Sequence, residues 1–241
     1  MVTVSIVSHG HGAMLPHLLR QLLTFQEVKQ IILTVNVLES FDILGDSRIQ
    51  IIKNAFPKGF GDNHNQAFSF SESDFFCVLN PDISFGENPF PQLLQSASDD
   101  IGLVAPIVKN LDGEIEDSIR KFPSPASIMR RRLLGYEDRY NYSQGDINFY
   151  PEWVGGMCML FKSSAYSSVG GFDEAYFMYV EDVDICTRLW RAGYKVLACP
   201  GIVVFHDARR ASRKNLQHLR WHISGLLRYF FRYLGRLPKA G

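Results

Sequence analysis

The chain has few cysteines, no net charge and no long hydrophobic run. Its four cysteines lie in apolar surroundings without the spacing of a metal site, so we expect buried free thiols in a reducing compartment. No uninterrupted apolar stretch approaches the roughly 18 residues that a membrane-spanning helix needs. The first residues, MVTVSIVSHG, lack the basic start of a signal peptide and are typical of a strand. These absences predict a cytosolic protein, or one attached to a membrane from the cytosolic side.

Several kinds of functional motif are also missing. The stretch KGFGDNHNQAF (58–68) lacks the spacing of a dinucleotide fingerprint or a P-loop lysine. Gly59 and Gly61 still permit close approach of the backbone to a ligand, although a plain loop before a helix explains them equally well. No Ser-His-Asp or Cys-His arrangement points to a covalent intermediate. The first 206 residues are net acidic and carry no recognition motif, so nucleic-acid binding is not expected.

The composition supports a folded α/β protein. Hydrophobic residues make up 46% of the chain and aromatic residues 13%, enough for a sizeable core. The apolar patterns predict alternating elements, with strands at 2–8, 30–35, 49–53 and 74–80 and helices at 13–25 and 62–71. Such alternation favours a mostly parallel, doubly wound sheet, which binds ligands beyond the carboxyl ends of its strands. The residues expected at that edge are Ser8, His9, Asn36, Asn80, Pro81 and Asp82.

The stretch FFCVLNPDISF (75–85) interrupts an apolar run with Asn80-Pro81-Asp82. A carboxylate at the end of a central strand, after a proline that stiffens the turn, suits a hard cation such as Mg²⁺ or Mn²⁺. These metals bind oxygen ligands and usually complete their shell with phosphate. A plain Asx turn, in which Asp82 caps the following loop, is the simpler alternative.

A helix is predicted within GGFDEAYFMYVEDVDICTRLWRAGYKV (170–196). Asp182 shares its face with an apolar stripe made of Ile185, Cys186 and Leu189. A carboxylate in the first turn gains from the helix dipole, but one in register with a buried stripe is costly unless it is paired or functional. We therefore favour a functional Asp182. Glu181 and Asp184 are expected on other faces, with Asp184 and Arg188 forming a helix-surface ion pair.

The segment 112–150 shows no clear period. It is rich in basic residues, prolines and tyrosines, so we expect a mobile loop there. Arg130-Arg131-Arg132 within it is either a solvated charge run or a contact for a phosphate.

The C-terminal tail has a clear helical pattern. Residues 207–241 carry nine Lys or Arg and one acid, so the tail has a charge of +8 and the rest of the chain −8. Apolar residues recur at spacings of three and four: Leu216, Leu219, Ile223, Leu226, Phe230 and Leu234. A basic amphipathic helix of this kind suits the surface of an anionic bilayer. The alternatives are packing onto the core or onto a second subunit in a homodimer.

Six motifs together resemble the large inverting glycosyltransferase family two, which has the GT-A fold. They are VSIVSHG, KGFGDNHNQAF, LNPD, VGGMCMLF, GGFDEAYFMYVEDVDICTRLWRAGYKV and VVFHD. Within the family, the chain is most similar to bacterial rhamnosyltransferases that build O-antigen and other surface polysaccharides. The resemblance implies a GT-A domain at 1–207, with a Rossmann-like mostly parallel sheet flanked by helices. A basic amphipathic helical segment at 208–241 would follow it.

The resemblance implies roles on both sides of the reaction. The NPD triplet stands where the family has its DXD motif, so Asp82 would bind the Mg²⁺ or Mn²⁺ of the donor diphosphate, although Asn80 replaces the first Asp. His206 matches a histidine that completes the metal site. Glu181 and Asp182 match the ED motif, in which the Asp is the catalytic base.

The residues and the resemblance together predict which positions bind the two substrates. Those on the donor side are Ser8, His9, Asn36, Glu39, Gly59, Phe60, Gly61, Asn65, Asn80 and Asp82. Those on the acceptor side are Trp153, Gly155 and Gly156. A sugar ring would lie against the glycine backbone with Trp153 as a stacking wall, unless the glycines serve close strand packing.

The implied reaction is transfer of L-rhamnose from dTDP-β-L-rhamnose, with inversion, to a polyprenyl-diphosphate-linked saccharide at the inner face of the cell membrane. The alternatives are another family-two hexosyl- or galactofuranosyltransferase that uses a UDP- or GDP-sugar, and a non-catalytic sugar-nucleotide-binding assembly subunit. A nucleotidyltransferase is disfavoured, because it typically carries a basic residue right after the first strand and SHGHGAM contains no Lys or Arg.

Overall fold

The computed structural model of the protein describes residues 1–42, 45–135, 139–207 and 216–240. Its strands are β1 (Val2–Ser8), β2 (Val28–Val35), β3 (Ile49–Lys53), β4 (Phe75–Leu79), β5 (Ile83–Ser84), β6 (Ile101–Asn110), β7 (Ile119–Arg120), β8 (Trp153–Val154), β9 (Cys158–Lys162) and β10 (Lys195–His206). Its helices are α1 (Leu15–Thr24), α2 (Phe60–Phe68), α3 (Phe90–Ser96), α4 (Pro125–Leu134), α5 (Ser163–Ser168), α6 (Glu181–Arg191) and α7 (Leu216–Tyr233).

An eight-stranded sheet organises the chain, in the order β3-β2-β1-β4-β9-β6-β10-β5. Strands β1 to β4 run parallel to one another, β9 runs antiparallel to both β4 and β6, and β10 runs parallel to β6. Strand β10 therefore points in the same direction as β4. As a result His206, the last residue of β10, reaches the same sheet edge as Asp82, which follows β4.

Hydrophobic clusters cover both faces of the sheet, because side chains alternate along each strand. In β4, Cys77 and Leu79 pack with α1 and α3, whereas Phe76 and Val78 pack with α2, α5, α6 and α7. The four cysteines are buried free thiols, as predicted. The predicted alternation of strands and helices is confirmed, and β1 and β3 have the predicted bounds.

The segment 112–150 contains regular structure that its pattern did not predict. Strand β7 pairs with β8, and α4 covers 125–134, so the expectation of a loop throughout was wrong for these residues. Ser124 caps α4 by accepting from the Ser127 N–H at 3.0 Å, and Pro125 occupies its first turn. This start signal is present in FPSPASIM but is followed by no clear apolar stripe. Residues 136–138 of the segment lie outside those described.

Helix α7 packs against α6 with one face and exposes another. Tyr229 and Tyr233 are buried, and their hydroxyl groups lie 2.8 Å from Thr187 Oγ1 and Asp184 Oδ1. Two residues of the predicted apolar stripe pack partly against the core, Leu226 and Phe230. Four others are exposed: Leu216, Leu219, Ile223 and Leu234. Of the tail, 208–215 and 241 lie outside the described residues. None of the described helices is long and apolar enough to span a membrane.

Candidate active site

A cleft of about 300 Å³ opens at the carboxyl ends of β1, β2 and β4, and the first turns of α2 and α6 close its other sides. This volume is at the lower end of the range for small-molecule sites, roughly 300–1,000 Å³. The predicted site residues that line it are His9, Asn36, Phe60, Asn80, Asp82, Gly156, Glu181 and Asp182. Two carboxylates one hundred positions apart in the sequence, Asp82 and Asp182, thus face one cavity.

His206 holds Asp82 at one wall of the cleft. His206 Nε2 lies 3.2 Å from Asp82 Oδ2, and the two side chains are only 13% and 12% exposed. Burial opposes protonation of His206, but the hydrogen bonds and charges of Asp82 and Glu116 outweigh it and raise the pKa of the imidazole to about 9. Asp82 Oδ1 is buried and has no hydrogen-bond partner among the described residues, so it can accept a cation.

Asp182 and Glu181 stand at the opposite wall, in the first turn of α6. Asp182 Oδ1 accepts from the Val183 N–H at 2.8 Å, and its Oδ2 accepts from the Gly156 N–H at 3.3 Å. Burial outweighs these two donors and raises the pKa of Asp182 to about 6. Burial and the neighbouring Asp182 also raise the pKa of Glu181 well above its ordinary value. Asp182 is therefore ionised at neutral pH yet basic enough to accept a proton.

Two strained residues precede this pair. Tyr179 and Val180 have φ angles of 70° and 74°, in the left-handed region that costs a side chain such as valine about 1–3 kcal/mol. The first residue of α2 donates its N–H to the Phe177 carbonyl at 2.8 Å. From the other side, His218 Nδ1 lies 2.8 Å from the Tyr179 hydroxyl, and a Cβ at Gly225 would come within 3.1 Å of the Tyr179 carbonyl. Helices α2 and α7 therefore hold the turn that positions the two carboxylates.

Asn36 joins three chain segments at the strand ends. Its side-chain oxygen accepts from the Lys58 N–H and from Asn54 Nδ2, both at 2.8 Å. Its Nδ2 donates to the Lys58 carbonyl at 3.0 Å and lies 3.1 Å from His9 Nδ1. His9 is exposed at the mouth of the cleft, whereas Ser8 is buried at the end of β1 and does not line it. Asn36 therefore fixes the shape of this wall through hydrogen bonds that use both ends of its amide.

A second cavity of about 640 Å³ adjoins the cleft and shares Asn36 with it. The chain that follows β2 and β3 lines this cavity, and Glu39 lies within it. Glu39 Oε1 accepts from the Gly10 N–H at 3.3 Å, while Oε2 is buried without a hydrogen-bond partner in the described chain. The cleft and this cavity together offer an elongated binding region along the carboxyl edge of the sheet.

The glycines of KGFGDN allow chain segments to pack closely, which differs from the ligand approach expected for them. A Cβ at Gly59 would lie 2.9 Å from the Phe177 carbonyl oxygen, and one at Gly61 would lie 2.6 Å from Phe172 Cβ. Neither glycine lines the cleft, whereas Phe60 between them does.

Asn65 also lies outside the cleft lining. Its Nδ2 donates to the Phe172 carbonyl at 2.9 Å and to Glu174 Oε1 at 3.0 Å. Its Oδ1 accepts from the Phe172 N–H at 2.9 Å and from the Tyr166 hydroxyl at 2.7 Å. The amide thus ties α2 to the chain that leads into α6, because these four contacts use its donors and its acceptor.

Of the three predicted acceptor residues, Gly156 alone is among those that line the cleft. A Cβ there would lie 3.1 Å from the ring of Phe60, so the absence of a side chain leaves room for that ring. Gly155 and Trp153 both donate to backbone carbonyls near β7, through a main-chain N–H at 2.7 Å and the indole N–H at 2.8 Å. Close strand packing, the alternative considered for this motif, accounts for the placement of Gly155 and Trp153.

Asp184 does not lie on the surface of α6, contrary to expectation. It is fully buried and accepts hydrogen bonds from Arg188 at 2.7 Å, Arg232 at 3.2 Å and Tyr233 at 2.8 Å. The pairing with Arg188 was predicted correctly, but its location was wrong. The cause is α7, which covers the face that α6 alone would leave in solvent.

Several residues of the cleft were not predicted as site residues: His11, Lys58, Asn63, His64 and Met178. His64 is buried, its Nδ1 lies 2.8 Å from Ser5 Oγ, and burial lowers its pKa to about 3, so its ring is neutral. Lys58 and His64 belong to the KGFGDNHNQAF motif, where polar residues beside glycines were a usable signal. Met178 gives no signal in the sequence.

Comparisons with known proteins find similarity to glycosyltransferases. Residues 141–218 match the family described as the N-terminal domain of galactosyltransferase. An N-acetylglucosaminyl-diphospho-decaprenol L-rhamnosyltransferase of Mycobacterium tuberculosis is 34% identical over 160 residues, which is 62% of this chain and 52% of the relative. The chain thus matches about half the length of that relative. The rhamnosyltransferase WbbL of Escherichia coli is 29% identical over 251 residues, covering 96% of this chain and 93% of the relative.

Solved structures show the same fold. The structure of GalNAc-T7 with UDP, GalNAc and Mn²⁺ matches with a TM-score of 0.65 and 14% sequence identity. The match covers 87% of this chain and 44% of the GalNAc-T7 chain. The mannosyltransferase PcManGT of Pyrobaculum calidifontis, in complex with GDP-Man and Mn²⁺, matches with a TM-score of 0.62 and 13% sequence identity. The match covers 94% of this chain and 64% of the PcManGT chain. The GT-A fold is therefore confirmed, and so is the predicted resemblance to bacterial rhamnosyltransferases.

Proposed function

We propose that this chain is an inverting glycosyltransferase that transfers L-rhamnose from dTDP-β-L-rhamnose to a polyprenyl-diphosphate-linked saccharide. One observation carries the proposal, namely that Asp82 and Asp182 line a single cleft. Inverting transfer needs a base at the acceptor hydroxyl and positive charge at the leaving diphosphate. Asp182 on one wall can act as the base, and Asp82 on the other wall can bind a cation that supplies the positive charge. Two of the relatives are rhamnosyltransferases, which supports rhamnose as the sugar, and one of them acts on a diphospho-decaprenol saccharide, which supports a lipid-linked acceptor.

Asp182 is the proposed base. Its carboxylate takes the proton of the acceptor hydroxyl while that oxygen forms a bond to the anomeric carbon. The bond from this carbon to the donor diphosphate breaks, and its electron pair leaves with the nucleoside diphosphate. A pKa of about 6 suits this task, because the group is ionised at neutral pH and still has affinity for the proton. The N–H groups of Val183 and Gly156 orient the carboxylate.

Asp82 and His206 are the proposed protein ligands of Mg²⁺ or Mn²⁺. The buried, unpartnered Oδ1 of Asp82 fits a hard cation. Two protein ligands leave the other positions of the coordination shell to the oxygens of the donor diphosphate, as is usual for Mg²⁺. When bound, the cation would supply positive charge against the negative charge of the departing diphosphate.

The elongated region formed by the cleft and its neighbouring cavity is the proposed donor site. The nucleoside would occupy the cavity beside Glu39 and Asn36, and the sugar would lie nearer to Asp182. His9, exposed at the mouth between them, remains the candidate to contact the base. In this assignment Ser8 does not contact the donor but supports the end of β1. Its carbonyl accepts a hydrogen bond from the Asn36 N–H at 2.9 Å.

The exposed face of α7 is the proposed contact with the inner face of the cell membrane. A row of apolar side chains runs along it: Leu216, Leu219, Ile223, Leu227, Phe231 and Leu234. Exposed arginines flank this row, among them Arg220, while Arg228 and Arg232 remain 48% and 38% exposed. Apolar side chains with cationic neighbours match an anionic bilayer, which also carries a lipid-linked acceptor.

Donor binding and product stereochemistry test the catalytic proposal. A thermal-shift panel of dTDP-, UDP- and GDP-sugars, with and without Mg²⁺ or Mn²⁺, should show the largest stabilisation for dTDP-rhamnose with metal. The anomeric configuration of the product, measured by NMR, should be α from a β donor. Retention would contradict the mechanism, whereas preference for a UDP- or GDP-sugar would overturn only the rhamnose assignment.

Vesicle sedimentation tests the membrane contact. The wild type should bind vesicles of anionic phospholipid more tightly than vesicles of phosphatidylcholine, and L219E/L227E should lose that binding. Both leucines are about half exposed, so the substitutions leave the core intact. The control is I147E, at an exposed apolar residue outside α7. Equal binding by L219E/L227E, or a concentration-dependent dimer of the wild type that this variant abolishes, would contradict the bilayer assignment.

A further inference from the structure

Glu116 contacts His206 from the side that faces away from Asp82. Its Oε2 lies 2.7 Å from His206 Nδ1, a hydrogen bond in which the imidazole donates because a carboxylate oxygen only accepts. Asp82 lies at the other ring nitrogen, 3.2 Å from Nε2. The imidazole is thus clamped between two carboxylates, one of which lines the cleft while the other does not.

The backbone fixes Glu116 in this position. A turn after β6 brings the chain back alongside it, with the Asn110 N–H donating to the Glu114 carbonyl at 2.9 Å. Two residues later, the Glu116 N–H donates to the Val108 carbonyl at 2.8 Å. His206 on β10 is paired in register with Asn110 on β6, so Glu116 and His206 meet across the same strand pair. The Glu116 side chain is 23% exposed, which shields the contact from most solvent.

We propose that Glu116 is a positioning residue of the metal site, which acts through His206. It commits Nδ1–H to a hydrogen bond, so Nε2 is the ring nitrogen left to face the cation beside Asp82. The proton that Nε2 carries in the metal-free imidazolium is released when the cation binds. A carboxylate behind a metal-binding histidine fixes the orientation of the ring and increases its basicity as a ligand. This inference rests on the proposed function, because it assumes a divalent cation at Asp82 and His206.

Loss of a residue that hydrogen-bonds to a metal ligand typically weakens metal affinity about 10- to 100-fold. E116A removes both the charge and the acceptor, so it should fall in that range. E116Q keeps an oxygen that can accept from Nδ1 and removes only the charge, so its loss should be smaller. The matched control is E114Q, because Glu114 lies on the same turn, is exposed and hydrogen-bonds to Asn110.

The experiment titrates Mn²⁺ into the full chain by electron paramagnetic resonance, in one series with saturating dTDP and in another with UDP. We expect an order of Mn²⁺ affinity of wild type and E114Q first, then E116Q, then E116A. Thermal unfolding without metal should be similar for all four proteins. On an H206A background, E116A should cause no further loss, because the residue acts through the imidazole.

The outcomes separate this inference from the function on which it rests. If the wild type binds no Mn²⁺ in either series, the metal site itself is wrong. If it binds Mn²⁺ and E116A binds equally well, Glu116 has no positioning role while the metal site stands. If E116A weakens binding by the same factor with and without His206, the carboxylate acts by another route and the inference fails.

Discussion

The two walls of the cleft hold their carboxylates in different ways. Asp82 directly precedes β5, and its partner His206 ends β10, which pairs with β5 in the register His206 to Ile83, so sheet register alone brings them together. Asp182 is the second residue of α6, a helix that follows two left-handed residues, and contacts from α2 and α7 hold that turn. The first wall is a product of strand pairing, whereas the second depends on packing between elements far apart in the chain.

This difference indicates how each wall should respond to mutation. Changes near Asp82 should alter diphosphate and metal binding with little effect on the base. Changes in α7 should reach the base wall although they lie outside the cleft, because α7 packs against Tyr179 and Val180. Four predictions test this comparison.

Substitution D182N should have the largest effect. It removes the proposed base while keeping the size of the side chain, so turnover should fall by about 10²- to 10⁴-fold. Donor affinity, measured by calorimetry, should change little, because the diphosphate wall is untouched. The control is D99N, at an exposed residue that precedes β6 at the opposite edge of the sheet. A D182N enzyme with near-normal turnover would show that the base lies elsewhere.

Substitution D184N should destabilise the base wall. The carboxylate is fully buried with Arg188, Arg232 and Tyr233, and breaking a buried ion pair typically costs about 3–5 kcal/mol in the free energy of unfolding. Urea denaturation would measure the loss. D100N, which breaks an exposed pair with Lys195, should change stability little. Equal effects of the two substitutions would mean that α7 does not dock on α6 as described.

The pH profile should report the ionisation of Asp182. Its pKa is raised to about 6, so the base is ionised above that pH and protonated below it. A protonated carboxyl cannot accept the acceptor proton, and kcat should therefore fall about tenfold for each pH unit below 6. Circular dichroism at pH 5 would check that the fold persists. If the residual activity of D182N shows the same decline of kcat below pH 6, the decline reports the ionisation of another group.

Substitution G225A should have the smallest effect, and it tests the coupling of α7 to the turn. Helix propensity alone predicts a gain of about 1 kcal/mol for alanine. The new Cβ would, however, lie 3.1 Å from both the Tyr179 carbonyl and Val180 Cγ2, so we expect a net loss of stability and a lower kcat. The control is G201A, where a Cβ meets nothing within 4 Å. A G225A protein that is more stable and fully active would show that α7 is not coupled to the turn.

Much of the donor wall could be predicted from the sequence. Apolar runs give the strands, and parallel strands present their carboxyl ends at one edge, which places Asn36, Asn80 and Asp82 together. The positions of Gly59, Gly61 and Asn65 could not be predicted in this way. Their motif indicates a tight contact, but a glycine pattern does not say whether a ligand or another chain segment makes it.

The sequence alone predicts the alternation of strands and helices, the sheet edge where the cleft opens, and the acidic residues placed there. Local patterns suffice for this, because side-chain periodicity reports which face of an element prefers to be buried. The burial of Asp184, the contact between Glu116 and His206, and the support that α7 gives to a strained turn are visible only in the folded chain. Each of these depends on a partner distant in the chain, and no local pattern names that partner.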